Sequence, residues 1–218
     1  MESLAAWLTA DVEPAAPPDS VALLIAELHV RCAAPLNVRA TAAALSYSRD
    51  QMNARLSRLV RSYAGIWCHQ VDDRGRRVAK AQGKFYLTDP VLNWLGHRQR
   101  PGVTQPDFTR LTEAAIGIAL ARAIAADRHD RWSAGDTVGY SKTDSRKEVD
   151  FAPVAVAIAG GQQMSTAVEA KWVTNGWRAK ARVIEGKYRS GIVATKNILD
   201  LNHPAWAVPA PVLALLLG

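Results

Sequence analysis

EVDFAP at 148–153 and STAVEAKW at 165–172 decide how the second half of this chain is read. Both stretches lie among apolar residues at strand-like spacing. Both also carry charges where a buried strand ordinarily carries none. Side chains of a strand alternate between its faces, so Glu169 and Lys171 share one face and Ala170 lies on the other. Gly160-Gly161 suits a hairpin turn between the two stretches, and such a hairpin places Asp150 near Glu169. A buried ionised carboxylate is costly unless it is paired or binds a cation. Two carboxylates brought together repel unless a divalent cation sits between them. Taken alone, Glu169 and Lys171 are better satisfied by an intra-strand ion pair near a sheet end, with Asp150 as a cap.

Around this pair the pattern is α/β. The segment 108–126, FTRLTEAAIGIALARAIAA, predicts a long apolar-rich helix. Strands are expected in RWSAGDTVGYSK (131–142), KEVDFAPVAVAIA (147–159) and QMSTAVEAKWV (163–173). GWRAKARVIEGKYRS (176–190) predicts a helix and GIVATKNIL (191–199) a strand, with PAWAVPAPVLALLL (204–217) closing the chain as strand or short helix. The order of helix, three strands, helix and strand implies a central mixed sheet.

The first half has a different rhythm. Helices are predicted over 20–32, 37–48 and 48–62, the last with Ser48 as N-cap. Met52, Leu56, Leu59 and Val60 fall on one face of that third helix, while Arg49, Arg55, Arg58 and Arg61 lie mostly off it. A strand in GIWCHQV (65–71), a turn in DDRGRR (72–77) and a strand in VAKAQGKFYL (78–87) follow. Three helices and a two-stranded hairpin make a winged helix-turn-helix, whose third helix enters the major groove and whose wing meets phosphates. Arg74, Arg76, Arg77, Lys80 and Lys84 would lie on that wing. TDPVLNWLG (88–96) predicts a short helix entered through Pro90.

The expected organisation is a flexible, proline-rich and acidic lead over 1–19, a winged helix over 20–96, a linker over 97–107 and an αβββαβ domain over 108–218. At 218 residues with 49% hydrophobic content the chain can build one or two compact cores. Its formal net charge of +7 points to a polyanionic partner, most often nucleic acid. Two cysteines without CxxC spacing fit a reducing cytosol and no zinc site. With neither a signal pattern nor an apolar run of membrane length, a soluble cytoplasmic protein without membrane contact is expected. No GxSxG elbow is present, and the histidines show no metal-ligand spacing.

Asp150, then a hairpin, then Glu169-Ala170-Lys171 resembles the PD-(D/E)xK nuclease superfamily, whose core has the same element order; Glu113 matches the glutamate that many members carry on the first helix. The proline of the motif's PD is absent, since Asp150 follows Glu148-Val149. More of the chain, about 20–200, resembles the C-terminal region of prokaryotic AAA-type ATPases, a winged helix plus nuclease-like domain. KFYLTDPVLNWL, LTEAAIGIALARAI, KEVDFAP and AVEAKW carry that likeness. No GxxxxGK[ST] loop occurs, so an ATPase is expected in cis, if the chain is a fragment, or in trans.

This resemblance implies a Mg²⁺- or Mn²⁺-dependent DNA endonuclease. Asp150 and Glu169 would be metal ligands together with the Ala170 carbonyl, Glu113 would reach the metal directly or through water, and Lys171 would orient the attacking water or offset phosphate charge. Glu148 would support Asp150. DNA would meet Arg49, Arg55, Arg58, Arg61, Arg74, Arg76, Arg77 and Lys80, and related nucleases often work as homodimers. Two alternatives are a catalytically inactive DNA- or protein-binding module working with an ATPase, and a winged-helix transcriptional regulator.

Overall fold

A computed structural model describes residues 2–14, 17–98, 107–127, 138–157 and 163–217. The chain is mixed α/β, with eight helices and two mixed four-stranded sheets among these residues. None of their helices is long and apolar enough to cross a membrane.

Much of the N-terminal stretch expected as a flexible lead is helical. Helix α1 (Glu2–Val12) buries Leu8 and Val12, which lie one turn apart on one face, against α2 (Pro18–Val30) and α4 (Arg49–Arg61). The proline-rich composition that suggested flexibility belongs to the connection between α1 and α2. Helix α3 (Val38–Ala44) starts at Asn37, whose side chain accepts the Ala40 N–H. Helix α4 starts with a reciprocal capping box, Ser48 Oγ accepting the Gln51 N–H and Gln51 Oε1 accepting the Ser48 N–H. Met52, Leu56 and Leu59 are buried in a shared core with α1, α2 and α3.

Strands β1 (Gly65–Gln70) and β2 (Lys84–Leu87) pair antiparallel. The second strand is shorter than its sequence suggests: residues 78–83 form turns and irregular chain, and Ala81 N–H closes one of them on Val78. Helix α5 (Pro90–Arg98) then packs on α2. Residues 99–106 of the expected linker lie outside the described set.

The second half follows the expected order: α6 (Phe108–Asp127), β3 (Val138–Lys142), β4 (Glu148–Val149), β5 (Phe151–Ala157), β6 (Gln163–Ala170), α7 (Arg178–Tyr188), β7 (Gly191–Thr195), β8 (Ala205–Pro209) and α8 (Ala210–Leu217). One sheet runs β5-β6-β7-β8, with β5 antiparallel to β6 and the rest parallel. The expected second strand is broken at Asp150: β4 pairs with β3, whereas β5 pairs with β6. The Gly160-Gly161 turn and residues 131–137 lie outside the described set.

The other sheet joins the two halves of the sequence. Its order is β2-β1-β3-β4, and β1 runs parallel to β3, with Cys68 opposite Val138 and Gln70 opposite Tyr140. One core is correspondingly shared: Ile66, Cys68 and Tyr86 pack with Ile116, Leu120, Phe151 and Val168. Both cysteines are free and buried. Asp73 adds a surface tie, its carboxylate 2.7 Å from Lys187 Nζ on α7.

Candidate functional site: a buried carboxylate cluster

Asp150 stands where the chain leaves β4 and enters β5, one residue before Phe151, which pairs with Val168. That register sets Asp150 against the end of β6. Its N–H donates to Glu169 Oε2 at 3.2 Å, and its Oδ2 accepts the Ala170 N–H at 3.0 Å. Each side chain thus satisfies the other strand's backbone beyond the last ladder pair. The expected juxtaposition of Asp150 and Glu169 is present, and both residues are buried.

Helix α6 brings Glu113. Gly117 lies one turn further on the same face, and a Cβ built there would meet the Phe151 ring at 2.8 Å. The glycine lets α6 seat close against the Phe151 ring, and Glu113 is carried toward Asp150. Its Oε1 accepts from Tyr86 Oη at 2.7 Å and from Lys84 Nζ at 2.6 Å.

Lys84 is the residue the sequence reading misplaced. Expected on an exposed wing, it is fully buried at the head of β2. Its Nζ lies 2.6 Å from Glu113 Oε1, 2.7 Å from Glu148 Oε1 and 3.5 Å from Asp150 Oδ1, with the Tyr140 ring 5.2 Å away. Helix α6 and the 148–150 stretch therefore converge on one ammonium. The reason is topological: β1 pairs with β3, and α2, α5 and α6 cover the edge strand β2, so it lies inside the folded body instead of projecting from it.

The lysine beside Glu169 is Lys180, on α7, with Nζ 2.7 Å from Glu169 Oε1. Lys171, expected to serve the site, follows the end of β6, is half-buried and forms no ion pair with a described residue. Glu148 and Lys180 keep 31% and 38% of their side-chain surface exposed, which makes them the open edge of an otherwise buried cluster.

The electrostatics follow from this burial. Four carboxylates meet two ammonium groups, so full ionisation leaves a formal excess of two negative charges. Burial and then the Asp150 charge push the Glu113 carboxyl up to about 7, against the pull of Lys84. Glu169 is raised by the same two causes, with Lys180 opposing them. Burial disfavours the Lys84 ammonium, but Glu113, Asp150 and Glu148 outweigh it and hold Lys84 well above its ordinary range. Burial, followed by Glu113, raises the Tyr86 phenol well above its ordinary value.

Oxygen donors and an excess of negative charge suit a hard divalent cation. Of the three expected side-chain ligands, Asp150 and Glu169 lie side by side, but their oxygens already meet Lys84, Lys180 and the backbone N–H groups of Ala170 and Asp150. Glu113 stands apart from that pair, its Oε1 held by Lys84 and Tyr86. No three His, Cys, Asp or Glu side chains among the described residues are grouped to hold a metal.

The expected nucleic-acid contacts divide. Arg49, Arg61, Arg74, Arg77 and Lys80 are exposed. Arg55 is instead held by the Glu13 carboxylate, with a 2.8 Å contact from Nε, and its guanidinium lies 3.9 Å over the Tyr47 ring. Arg58, though exposed, donates to the Val12 carbonyl at 2.8 Å. Arg76 is paired with Asp72 at 2.8 Å, and Asp72 Oδ1 also accepts the backbone N–H groups of Arg74 and Arg76. Lys84 and Tyr86 join the site without having been expected there. In hindsight Lys84 carries the same signal as Glu169, a charge inside an apolar strand.

No protein-family model, curated protein or solved structure matches this chain.

Proposed function

We propose that this chain binds nucleic acid through the exposed cations of α4 and the 71–83 loop, and cleaves a phosphodiester at the Asp150–Glu169 edge of the cluster. In this reading α2 to β2 form a winged helix, and α6 to β7 form a PD-(D/E)xK nuclease-like domain with an additional β8 and α8. The observation that carries it is the meeting of Asp150 and Glu169 on adjacent strands with a lysine, Lys180, 2.7 Å from Glu169. Such a grouping of opposed charges, drawn from separate elements and buried, is costly to keep without a task.

Asp150, Glu169 and the Ala170 carbonyl would hold a Mg²⁺ or Mn²⁺ ion. When bound, such an ion polarises a phosphate and lowers the pKa of its water. The chain's own residues do the rest. Lys180, at the exposed edge, offsets the charge of an incoming phosphate, and Lys171 stands one residue past Ala170 to do the same. Burial of Asp150 and Glu169 excludes bulk water and strengthens each contact. Arg74, Arg77 and Lys80 supply phosphate contacts that position the strand without reading its sequence.

A second reading has one observation behind it. With Lys84 already placed among the carboxylates, the second half serves as a catalytically inactive scaffold for a nucleic-acid-binding first half. Mn²⁺ titration of wild type and Asp150→Asn separates the two. Saturable binding that Asp150→Asn abolishes supports the cleavage reading. Absence of binding to wild type, or equal binding to both, refutes it in favour of the scaffold.

A further inference from the structure

Lys84 is a charged side chain with no exposed surface, drawn into the cluster from the first half of the sequence. A buried ammonium without partners would shed its proton or unfold its surroundings. Here it has three acidic partners on two segments, Glu113 on α6 and Glu148 and Asp150 on the 148–150 stretch, at 2.6, 2.7 and 3.5 Å, all converging on one atom. That is the topology of a cation site in which the cation is covalently part of the chain. Glu113 and Glu148 lie far apart in sequence, and in the described structure the atom they share is Lys84 Nζ.

We propose that Lys84 is the resident cation of the Glu113–Glu148–Asp150 group. It is a positioning residue that fixes these three carboxylates in place of a metal ion. Any divalent cation is then left to the Asp150–Glu169 edge; only that last clause rests on the cleavage reading. The same contact makes the β1–β2 hairpin part of the site, because Lys84 reaches the cluster only while β1 pairs with β3. The first half of the chain thus sets the geometry of the second.

The consequence is competition. An ammonium and a divalent cation cannot share the same oxygens, so removing the ammonium should open a divalent seat. The test uses the full chain in a Glu169→Gln background, which disables the Asp150–Glu169 edge and makes the outcome independent of whether the protein cleaves anything. Mn²⁺ affinity is measured by calorimetry, and melting temperature is followed with and without chelator.

Glu169→Gln alone is expected to bind no Mn²⁺ saturably and to melt at the same temperature in chelator. Adding Lys84→Met, which keeps the bulk and removes the charge, should create saturable Mn²⁺ binding, at least about tenfold tighter than any residual association of the single variant, the scale of ordinary coupling between sites. It should also make the melting temperature rise with Mn²⁺. The proposal is overturned if Glu169→Gln binds Mn²⁺ with Lys84 in place, or if the folded Lys84→Met protein gains no affinity. Should Lys84→Met fail to fold, Glu113→Gln is added to remove one of the uncompensated charges. Recovery of folding supports the counter-ion role, and continued misfolding refutes it.

Discussion

Glu113 gives the account a quantitative test through pH. Burial and Asp150 together raise its carboxyl from an ordinary 4.5 to about 7. The folded protein therefore binds this proton more tightly than the unfolded chain does. Between those two values the folded state carries more protons, so stability falls as pH rises. The contribution is fully present below the unfolded value and is lost as pH passes through the folded one. A displacement of this size corresponds to on the order of 3 kcal/mol, or about 6–12 °C in melting temperature for a chain of this length. Glu169 is raised too and acts in the same direction. Asp72 and Glu185 are lowered and act with the opposite sign, at pH values below this window. Glu113→Gln keeps an oxygen for Tyr86 and Lys84 but cannot titrate. Urea midpoints are measured for wild type and Glu113→Gln from about pH 5 to about pH 8. Wild type should lose stability relative to the variant across that range. Parallel curves, or a relative gain by wild type as pH rises, would refute the electrostatic picture of the cluster.

Other predictions concern its supports. Tyr86→Phe removes the 2.7 Å hydrogen bond to Glu113 and should cost about 1–3 kcal/mol, since a hydrogen bond to a charged group is lost. The same change should raise the Glu113 pKa further, measurable by NMR titration, because the phenol favours the ionised form. Gly117→Ala drives a methyl into the buried Phe151 ring and should cost about 1–3 kcal/mol of overpacking, against a helix-propensity gain of about 1 kcal/mol at most. A melting temperature raised by this change would contradict the close seating of α6 against Phe151. On the first half, Arg74→Ala, Arg77→Ala and Lys80→Ala should each weaken nucleic-acid binding and lower the salt slope by about 1. Arg55→Ala should leave that slope unchanged and reduce stability instead, since its guanidinium is spent on Glu13.

Legibility in the sequence followed the range of the interaction. The α4 N-cap could be read because Ser48 and Gln51 are three residues apart, and the capping box needs nothing else. Asp150 and Glu169 could be brought together because strand alternation and one hairpin determine their approach. Glu113 was found through a resemblance, since α6 touches β5 only after folding. Lys84 was out of reach for a sharper reason. Its burial depends on β1 pairing with β3, across a segment whose proline-rich, polar composition reads as a boundary. The same holds for Lys180, which meets Glu169 because α7 packs on β6. The sequence indicated a lysine two residues along the strand, at Lys171, while the ion pair with Glu169 comes from the next helix. Helix α1 was concealed by its neighbourhood: Leu4, Leu8 and Val12 keep helical spacing, but the prolines that follow dominated the reading.

The central claim is that Asp150 and Glu169 form a divalent-dependent cleavage site. Its most direct test is incubation of linear duplex, single-stranded and branched DNA with wild type, Asp150→Asn and Lys180→Met, in Mg²⁺, in Mn²⁺ and in chelator. The account predicts cutting of at least one of these DNAs by wild type that requires the divalent ion, disappears in Asp150→Asn and falls in Lys180→Met. Cutting that persists equally in Asp150→Asn, or no cutting by wild type with either ion, would contradict it.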